Sequence, residues 1–208
     1  LHGFEFVSGV GYRVAMRTLL LALFVATGCA DIAPIEDGKA YGSLVTIKDW
    51  FTSCYLLKAG DRVVMFDTCW RQGALESALE QHNVKPEQVT HVFMTHGHAD
   101  HVGGLPLLRN AKVLALQPEQ PNLITNAHSH GAIDERLTDG QEFRFGDNVI
   151  RVLAVPGHTP GTAVYWVNGV LLLGDAGRVN QAGAIVSEEG FSEKPEQAAE
   201  SLAALAQR

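Results

Sequence analysis

The chain has 208 residues, 46% of them apolar and 19% charged, with a formal net charge of −7. That length fits one domain with a substantial core, and the composition excludes an intrinsically disordered chain. The acidic balance, with no basic stripe, excludes nucleic-acid binding and leaves a small molecule as the expected partner.

Residues 1–15 begin with Leu1, precede Met16 and read as an upstream extension outside the fold. Met16-Arg17 then supplies a basic start, Leu19 to Ala26 an apolar run, and Thr27-Gly28 small residues before a cut. Residues 16–29 therefore predict an export signal, too short to span a membrane. A cysteine directly after Gly28 resembles a bacterial lipoprotein signal, which implies a lipid anchor at Cys29, although Ala26 stands where leucine is usual. A plain signal peptide or a buried N-terminal strand is the alternative. The expected location is outside the bacterial cytoplasm, periplasmic or membrane-anchored.

Residues 30–42 read as a linker and 43–208 as the folded domain. Leu44 to Ile47, Cys54 to Leu57 and Val63 to Phe66 read as strands, the last two joined by turn residues Ala59-Gly60-Asp61. If that hairpin turns near Ala59-Gly60, Cys54 faces roughly Met65. Cys69 then lies about four residues further along, roughly 13 Å away at strand rise and beyond disulfide reach, so both thiols are expected reduced. With only Cys29 besides, the cysteines make neither a disulfide framework nor a zinc ribbon.

Gly73 to Asn83 predicts a helix, with Leu75, Ala78, Leu79 and His82 on one face. A strand from His91 to Met94, a short helix from near Asp100 and a strand from Lys112 to Leu116 follow. Residues 117–140, rich in Pro, Asn, Gln and Gly, read as a long connection. Phe143 to Phe145 pairs with Val149 to Val155, and Ala163 to Val167 with Val170 to Leu173 across Asn168-Gly169. Pro195 opens a last helix with Ala198, Leu202 and Leu205 on one stripe. Hairpins interspersed with single helices argue for packed sheets covered by helices, an α/β (α+β) class, and against a doubly wound parallel sheet.

The chemistry concentrates in Thr95-His96-Gly97-His98-Ala99-Asp100-His101, directly after an apolar strand. Three imidazoles and a carboxylate can converge on cations where a strand end turns into a loop, and zinc takes such ligands readily. His158, in Pro156-Gly157-His158-Thr159-Pro160-Gly161, and Asp175, in Gly174-Asp175-Ala176, each follow an apolar strand and match this site. His128 and His130 mimic a ligand pair but sit in the long polar connection and read as surface-loop residues, with a substrate-facing loop as the alternative. His82 and His91 read as ordinary helix-face and strand-edge residues.

The series Thr-His-x-His-x-Asp-His, Pro-Gly-His-Thr and Gly-Asp resembles the metallo-β-lactamase superfamily, from about Ser43 to the C-terminus. Phe66-Asp67-Thr68 resembles the family's buttressing Asp-Thr-Gly segment, with Cys69 in place of glycine. The resemblance implies an αββα sandwich of two mixed sheets covered by helices. It makes His96, His98 and His158 ligands of a first metal and Asp100 and His101 ligands of a second, with Asp175 bridging. The family's sixth ligand, a histidine near the C-terminus, has no counterpart after His158. A domain truncated at its C-terminus, or an incomplete second site, is the expectation.

The implied activity is zinc-dependent hydrolysis of an ester, thioester, lactone or amide by metal-activated hydroxide, with one or two zinc ions and Asp100 as the catalytic group handling the proton. β-Lactam cleavage is disfavoured, because in the family lactamases usually lack the bridging aspartate. A persulfide dioxygenase of the same fold, with one iron, and a non-catalytic metal-binding envelope protein are the alternatives.

Overall fold

The computed structural model describes residues 5–7, 36–180 and 182–208. Residues 16–29, where an export signal is expected, lie outside the described residues. The strands are β1 (Glu5–Val7), β2 (Ala40–Tyr41), β3 (Leu44–Asp49), β4 (Thr52–Ala59), β5 (Arg62–Phe66), β6 (Val89–Phe93), β7 (Lys112–Leu116), β8 (Glu135–Leu137), β9 (Glu142–Phe145), β10 (Asn148–Ala154), β11 (Ala163–Val167), β12 (Val170–Leu172), β13 (Arg178–Val179) and β14 (Ile185–Val186). The helices are α1 (Gln72–Gln81), α2 (Ala99–Val102), α3 (Gln120–Ala127) and α4 (Pro195–Leu205).

A seven-stranded sheet runs β2-β3-β4-β5-β6-β7-β8, antiparallel as far as β5 and parallel from β5 to β8. A five-stranded sheet runs β1-β12-β11-β10-β9, antiparallel except where β1 joins β12 in parallel. Both sheets are therefore mixed, as the resemblance implies.

The two-residue alternation of strands builds the layers. On β4 and β5, Tyr55, Leu57, Val64 and Phe66 face the second sheet and meet Val152, Tyr165 and Leu172 there. Cys54, Leu56, Val63 and Met65 point the other way, onto Leu75 and Leu79 of α1 and Leu123 of α3. On the far side Leu153, Val164 and Leu171 meet Leu202 of α4. Three apolar seams thus separate four layers, helix, sheet, sheet and helix.

Four expectations are corrected. Residues 40 and 41 form an edge strand, with Tyr41 buried, so the linker ends earlier than residue 42. Glu5–Val7, placed outside the fold from sequence, pairs with Val170–Leu172 along the open edge of β12. The segment 117–140 is not a structureless connection: it contains α3 and β8, because Leu123 and Ala127 recur at helical spacing and bury against the sheet. Fourth, Cys54 and Cys69 form a disulfide, with Cα atoms 5.0 Å apart.

The strand-rise estimate fails at the bridge for two reasons. In the hairpin Tyr55 pairs with Phe66, so Cys54 lies opposite the end of β5, not opposite Met65. After Phe66 the chain also ceases to be extended: Asp67 and Cys69 have φ of 55° and 58°, left-handed values that curl the backbone back over β4. Cys69 occupies the position where the family pattern has glycine, and its conformation shows why glycine suits that place.

A bridge across this short loop contributes about 3 kcal/mol by the chain-entropy argument. Cys54→Ala, or reduction of the native protein, is expected to lower the melting temperature by roughly 6–12 °C, the shift such a loss gives in a domain of this size. Calorimetry with and without reductant measures it, and non-reducing peptide mapping should recover the Cys54–Cys69 cross-link.

Candidate metal centre

The site lies at one end of the sandwich, where both sheets release their chains. Thr95 and His96 follow β6, His158 follows β10, and Asp175 follows β12. Two cross-sheet bonds hold these ends together: Ala163 N–H donates to the Thr95 carbonyl (2.8 Å), and the Tyr165 hydroxyl to the Met94 carbonyl (2.6 Å).

Three imidazoles converge on one point. His158 Nε2 lies 3.2 Å from His96 Nε2 and 3.0 Å from His98 Nδ1. A second group joins His96, His101 and Asp175, with Asp175 Oδ1 3.3 Å from His101 Nε2 and Oδ2 4.0 Å from His96 Nε2. Asp175 Oδ2 is also 3.7 Å from His158 Nε2, so the carboxylate sits between the two groups. Asp100 stands at the edge, Oδ2 3.7 Å from His101 Nε2, and belongs to neither three-residue group. His128 and His130 lie apart on an exposed turn after α3.

One carboxylate sets the protons of two imidazoles. Buried Asp67 accepts from the Thr95 N–H at Oδ1 (2.7 Å), and from the Thr95 hydroxyl (2.7 Å) and His101 Nδ1 (2.8 Å) at Oδ2. With its proton given to Asp67, the Thr95 oxygen accepts from His96 Nδ1 at 3.0 Å. His96 therefore turns an unprotonated Nε2 inward, the form a metal needs, and His101, with its Nδ1 proton held by Asp67, would offer Nε2 to a cation that displaced the proton shared with Asp175.

Burial, reinforced by the neighbouring His101, drives His96 well below the ordinary imidazole range. Burial also lowers His158 to about 4. Burial pushes His101 down too, but Asp175 and Asp67 outweigh it and hold this ring well above its usual value. Burial alone would raise Asp175; His101 beside it holds the carboxyl well below the carboxylate range instead. The donor set fits zinc. A proton among His96, His98 and His158 can bridge only one pair of nitrogens, whereas a cation at their focus satisfies all three. Among the described residues the buried His158 Nδ1 has no hydrogen-bond partner, so none of them fixes this third ring's tautomer.

Sequence reasoning missed Glu119, which is fully buried. Its Oε1 accepts from the Gly97 N–H (2.8 Å) and Asn122 Nδ2 (3.0 Å), and its Oε2 from the Thr159 hydroxyl (2.6 Å) and Gly161 N–H (3.1 Å). It thus ties the loop of His96 and His98 to the loop of His158. Asn126 Nδ2 donates to the Gly97 carbonyl from the same helix (2.8 Å). Gly97 and Gly161 are required by this closeness: a Cβ would lie 2.6 Å from the Leu123 nitrogen at the first and 2.5 Å from the Glu119 nitrogen at the second. The one hint in the sequence was a pair of glycines flanking ligands on different loops, which cannot name their common partner.

Residues 47–208 match the sequence profile of the metallo-beta-lactamase superfamily. Among curated relatives, the chain is 36% identical over 145 residues to a hydroxyacylglutathione hydrolase of Anaeromyxobacter dehalogenans, covering 68% of this chain and 49% of that one. It is 34% identical over 168 residues to the atrochrysone carboxyl ACP thioesterase AgnL7 of Paecilomyces divaricatus, covering 72% and 50%. The chain thus spans about half the length of these relatives. Its fold is similar to that of the native FEZ-1 metallo-beta-lactamase from Legionella gormanii, with a TM-score of 0.61, 18% identity and coverage of 80% and 73%.

Glu119→Ala should leave Gly97, Thr159 and Gly161 without their acceptor and let the two ligand loops separate. Zinc affinity is expected to fall about 10–100-fold, the usual effect of losing a residue that orients ligands, while His128→Ala and His130→Ala keep the affinity of the parent. Equilibrium dialysis against zinc checks both; an unaltered affinity in the Glu119 variant would refute its organising role.

Proposed function

Because the chain belongs to the metallo-beta-lactamase superfamily, we propose that it is a zinc-dependent hydrolase whose substrate is a thioester. The observation that carries the reading is the pair of ligand groups sharing His96, with Asp175 between them and Asp67 setting the tautomers behind them. Support for a thioester comes from the relatives: the names hydroxyacylglutathione hydrolase and ACP thioesterase both describe an acyl group carried on a thiol.

Zinc bound by His96, His98 and His158 would supply Lewis acidity and a water acidified to near neutrality. The chain's own residues do the rest. Asp175, ionised and lodged between the two groups, balances cationic charge on both sides. Asp100, at the edge beside His101, takes the proton as the water oxygen adds to the carbonyl carbon. It returns that proton to sulfur as the C–S bond breaks, which leaves a carboxylic acid and a thiol. The first group has three imidazoles, whereas the second shares His96 with it and adds His101 and Asp175 with Asp100 near; the first group is therefore expected to hold its ion more firmly.

The full chain, purified and loaded, should retain zinc and cleave acyl-glutathione or acyl-pantetheine thioesters in preference to lactones, phosphodiesters and β-lactams. His96→Ala and His158→Ala are each expected to lose the tightly held zinc and to lower kcat/KM by at least about a thousandfold, a loss of some 4 kcal/mol of transition-state stabilisation. His96, His158 and Asp175 also make a two-histidine, one-carboxylate set, which suits iron. One equivalent of iron with oxygen consumption, or full zinc without thioester turnover, would sink the hydrolase reading.

For location we propose export, on the Met16 to Cys29 pattern and on the Cys54–Cys69 bridge, since disulfides persist in oxidising compartments. Mass spectrometry of the mature protein should find a lipid-modified Cys29 at its N-terminus; an intact residue 16–29 segment in the native protein would remove this proposal.

A further inference from the structure

His101 and Asp175 distinguish the second ligand group from the first. His101 stands on α2, a helix of four residues, and so short a helix does not hold its own position by internal hydrogen bonds. The loop after β5 holds it instead. The Thr68 N–H (2.7 Å) and the Thr68 hydroxyl (3.0 Å) both donate to the His101 carbonyl. Just beyond α2, the Gly103 N–H donates to the Cys69 carbonyl (3.0 Å) and the Gly104 N–H to the Thr68 carbonyl (3.2 Å). The two backbones touch so closely that a Cβ at Gly103 would run into the Trp70 carbonyl. Wherever residues 68 and 69 go, α2 follows.

The loop that carries α2 has a shape its residues do not favour. Cys69 holds φ of 58°, a conformation that glycine adopts freely and other residues rarely do. Released, residue 69 would turn to negative φ, and the carbonyls of Thr68 and Cys69 would swing away from Gly104 and Gly103. The bond to Cys54 opposes this turn. It fastens residue 69 to β4 with the two Cα atoms 5.0 Å apart, and β4 lies between β3 and β5 inside the seven-stranded sheet. The fastening point is also beside the ligand: Thr52, two residues before Cys54, brings its Oγ1 to 3.5 Å from His101 Nε2.

The first group rests on other supports. Glu119 joins Gly97 to the loop of His158, and Thr95 bonds the His96 ring. A disturbance at residue 69 therefore reaches His101 directly, and His98 and His158 only through the packing of the whole domain.

We propose that Cys54 and Cys69 are positioning residues of the metal centre: their bond keeps residue 69 in the left-handed conformation that glycine takes unaided, and through Thr68 and Cys69 it sets His101 of the second ligand group. This rests on the reading of the site as a metal centre and adds to it that the bridge decides how firmly the second cation is held, while the first is indifferent to it.

The test compares the full chain with two variants, Cys54→Ala/Cys69→Ala and Cys54→Ala/Cys69→Gly, in which no released sulfur of the bridge can bind zinc. The two differ by one methyl group, at a position that requires positive φ. Zinc titration against a chromophoric chelator separates the two binding steps, and amide hydrogen exchange is followed on the metal-free proteins. The alanine variant should weaken the second step about 10–100-fold, as loss of a group that orients a ligand does, and leave the first within about twofold. Its Gly103 and Gly104 amides should exchange at least about tenfold faster than the parent's, measured against the Ala163 amide, which bonds Thr95 across the sheets. The glycine variant should recover the second step although the cross-link is gone and the melting temperature stays low, which separates position from stability. Equal weakening of both steps in both variants overturns the proposal, because the bridge would then serve stability alone. So does an alanine variant that keeps the second step, or a glycine variant that does not recover it. Should the alanine variant not fold, the glycine variant decides by itself: a second step within about tenfold of the parent's upholds the proposal, and a greater loss overturns it. A parent that binds no zinc would discard the metal reading, while the exchange contrast between the variants would still uphold or overturn the hold of the bridge on α2.

Discussion

A carboxylate that must stay ionised in the dry interior governs this molecule. Asp67 is almost wholly buried, and burying a charge is tolerated only where hydrogen bonds replace its water. Thr95 and His101 supply three such bonds, and the need to supply them draws the end of β6 and the start of α2 against the end of β5. The same bonds place the Nδ1 protons of His96 and of His101. Folding and ligand chemistry are here one requirement: a backbone that satisfies Asp67 also turns the Nε2 atoms of His96 and His101 toward Asp175.

Glu119 works by the same rule from the opposite side. It is also a dry carboxylate, and its four donors come from Gly97, Asn122, Thr159 and Gly161. Asp67 faces the loop that carries His96 and His101, and Glu119 spans the gap between His96-Gly97-His98 and His158. Each imidazole of the centre thus lies close to one of two carboxylates that the chain had to satisfy in any case. Distortion of either loop would leave a buried charge short of donors, which makes the arrangement rigid.

What the sequence disclosed follows from how local each signal is. The His96-to-His101 cluster, the turn around His158 and the strand runs on either side are contiguous patterns, and the αββα layering, the family and the convergence of His96, His98, His101, His158 and Asp175 were legible from them, while Asp100 stands at the edge of both groups. Glu119 was not, because a buried glutamate acquires its meaning only from Gly97 and Thr159, both far along the chain. The Cys54–Cys69 pairing was hidden by a conformational fact, the left-handed turn at Asp67 and Cys69, which extended-strand arithmetic cannot represent. Helix α3 escaped because its prolines, asparagines and glutamines resemble loop composition, while two residues, Leu123 and Ala127, carry its burial.

The bridge also bears on how such a pair can arise. Cysteine at position 54 alone is a small apolar residue in a buried strand, a change with little cost. Cysteine at position 69 alone takes a left-handed backbone that favours glycine, at a cost of about 1–2 kcal/mol, beside the aspartate on which the centre depends. The easier mutational path therefore passes through Cys54 first. The second step then couples two formerly independent positions, so that reversion at 54 exposes a penalty at 69 which the bond had been offsetting. Lineages that acquired both residues would keep them together or lose them in the opposite order, with Cys69 returning to glycine before Cys54 drifts.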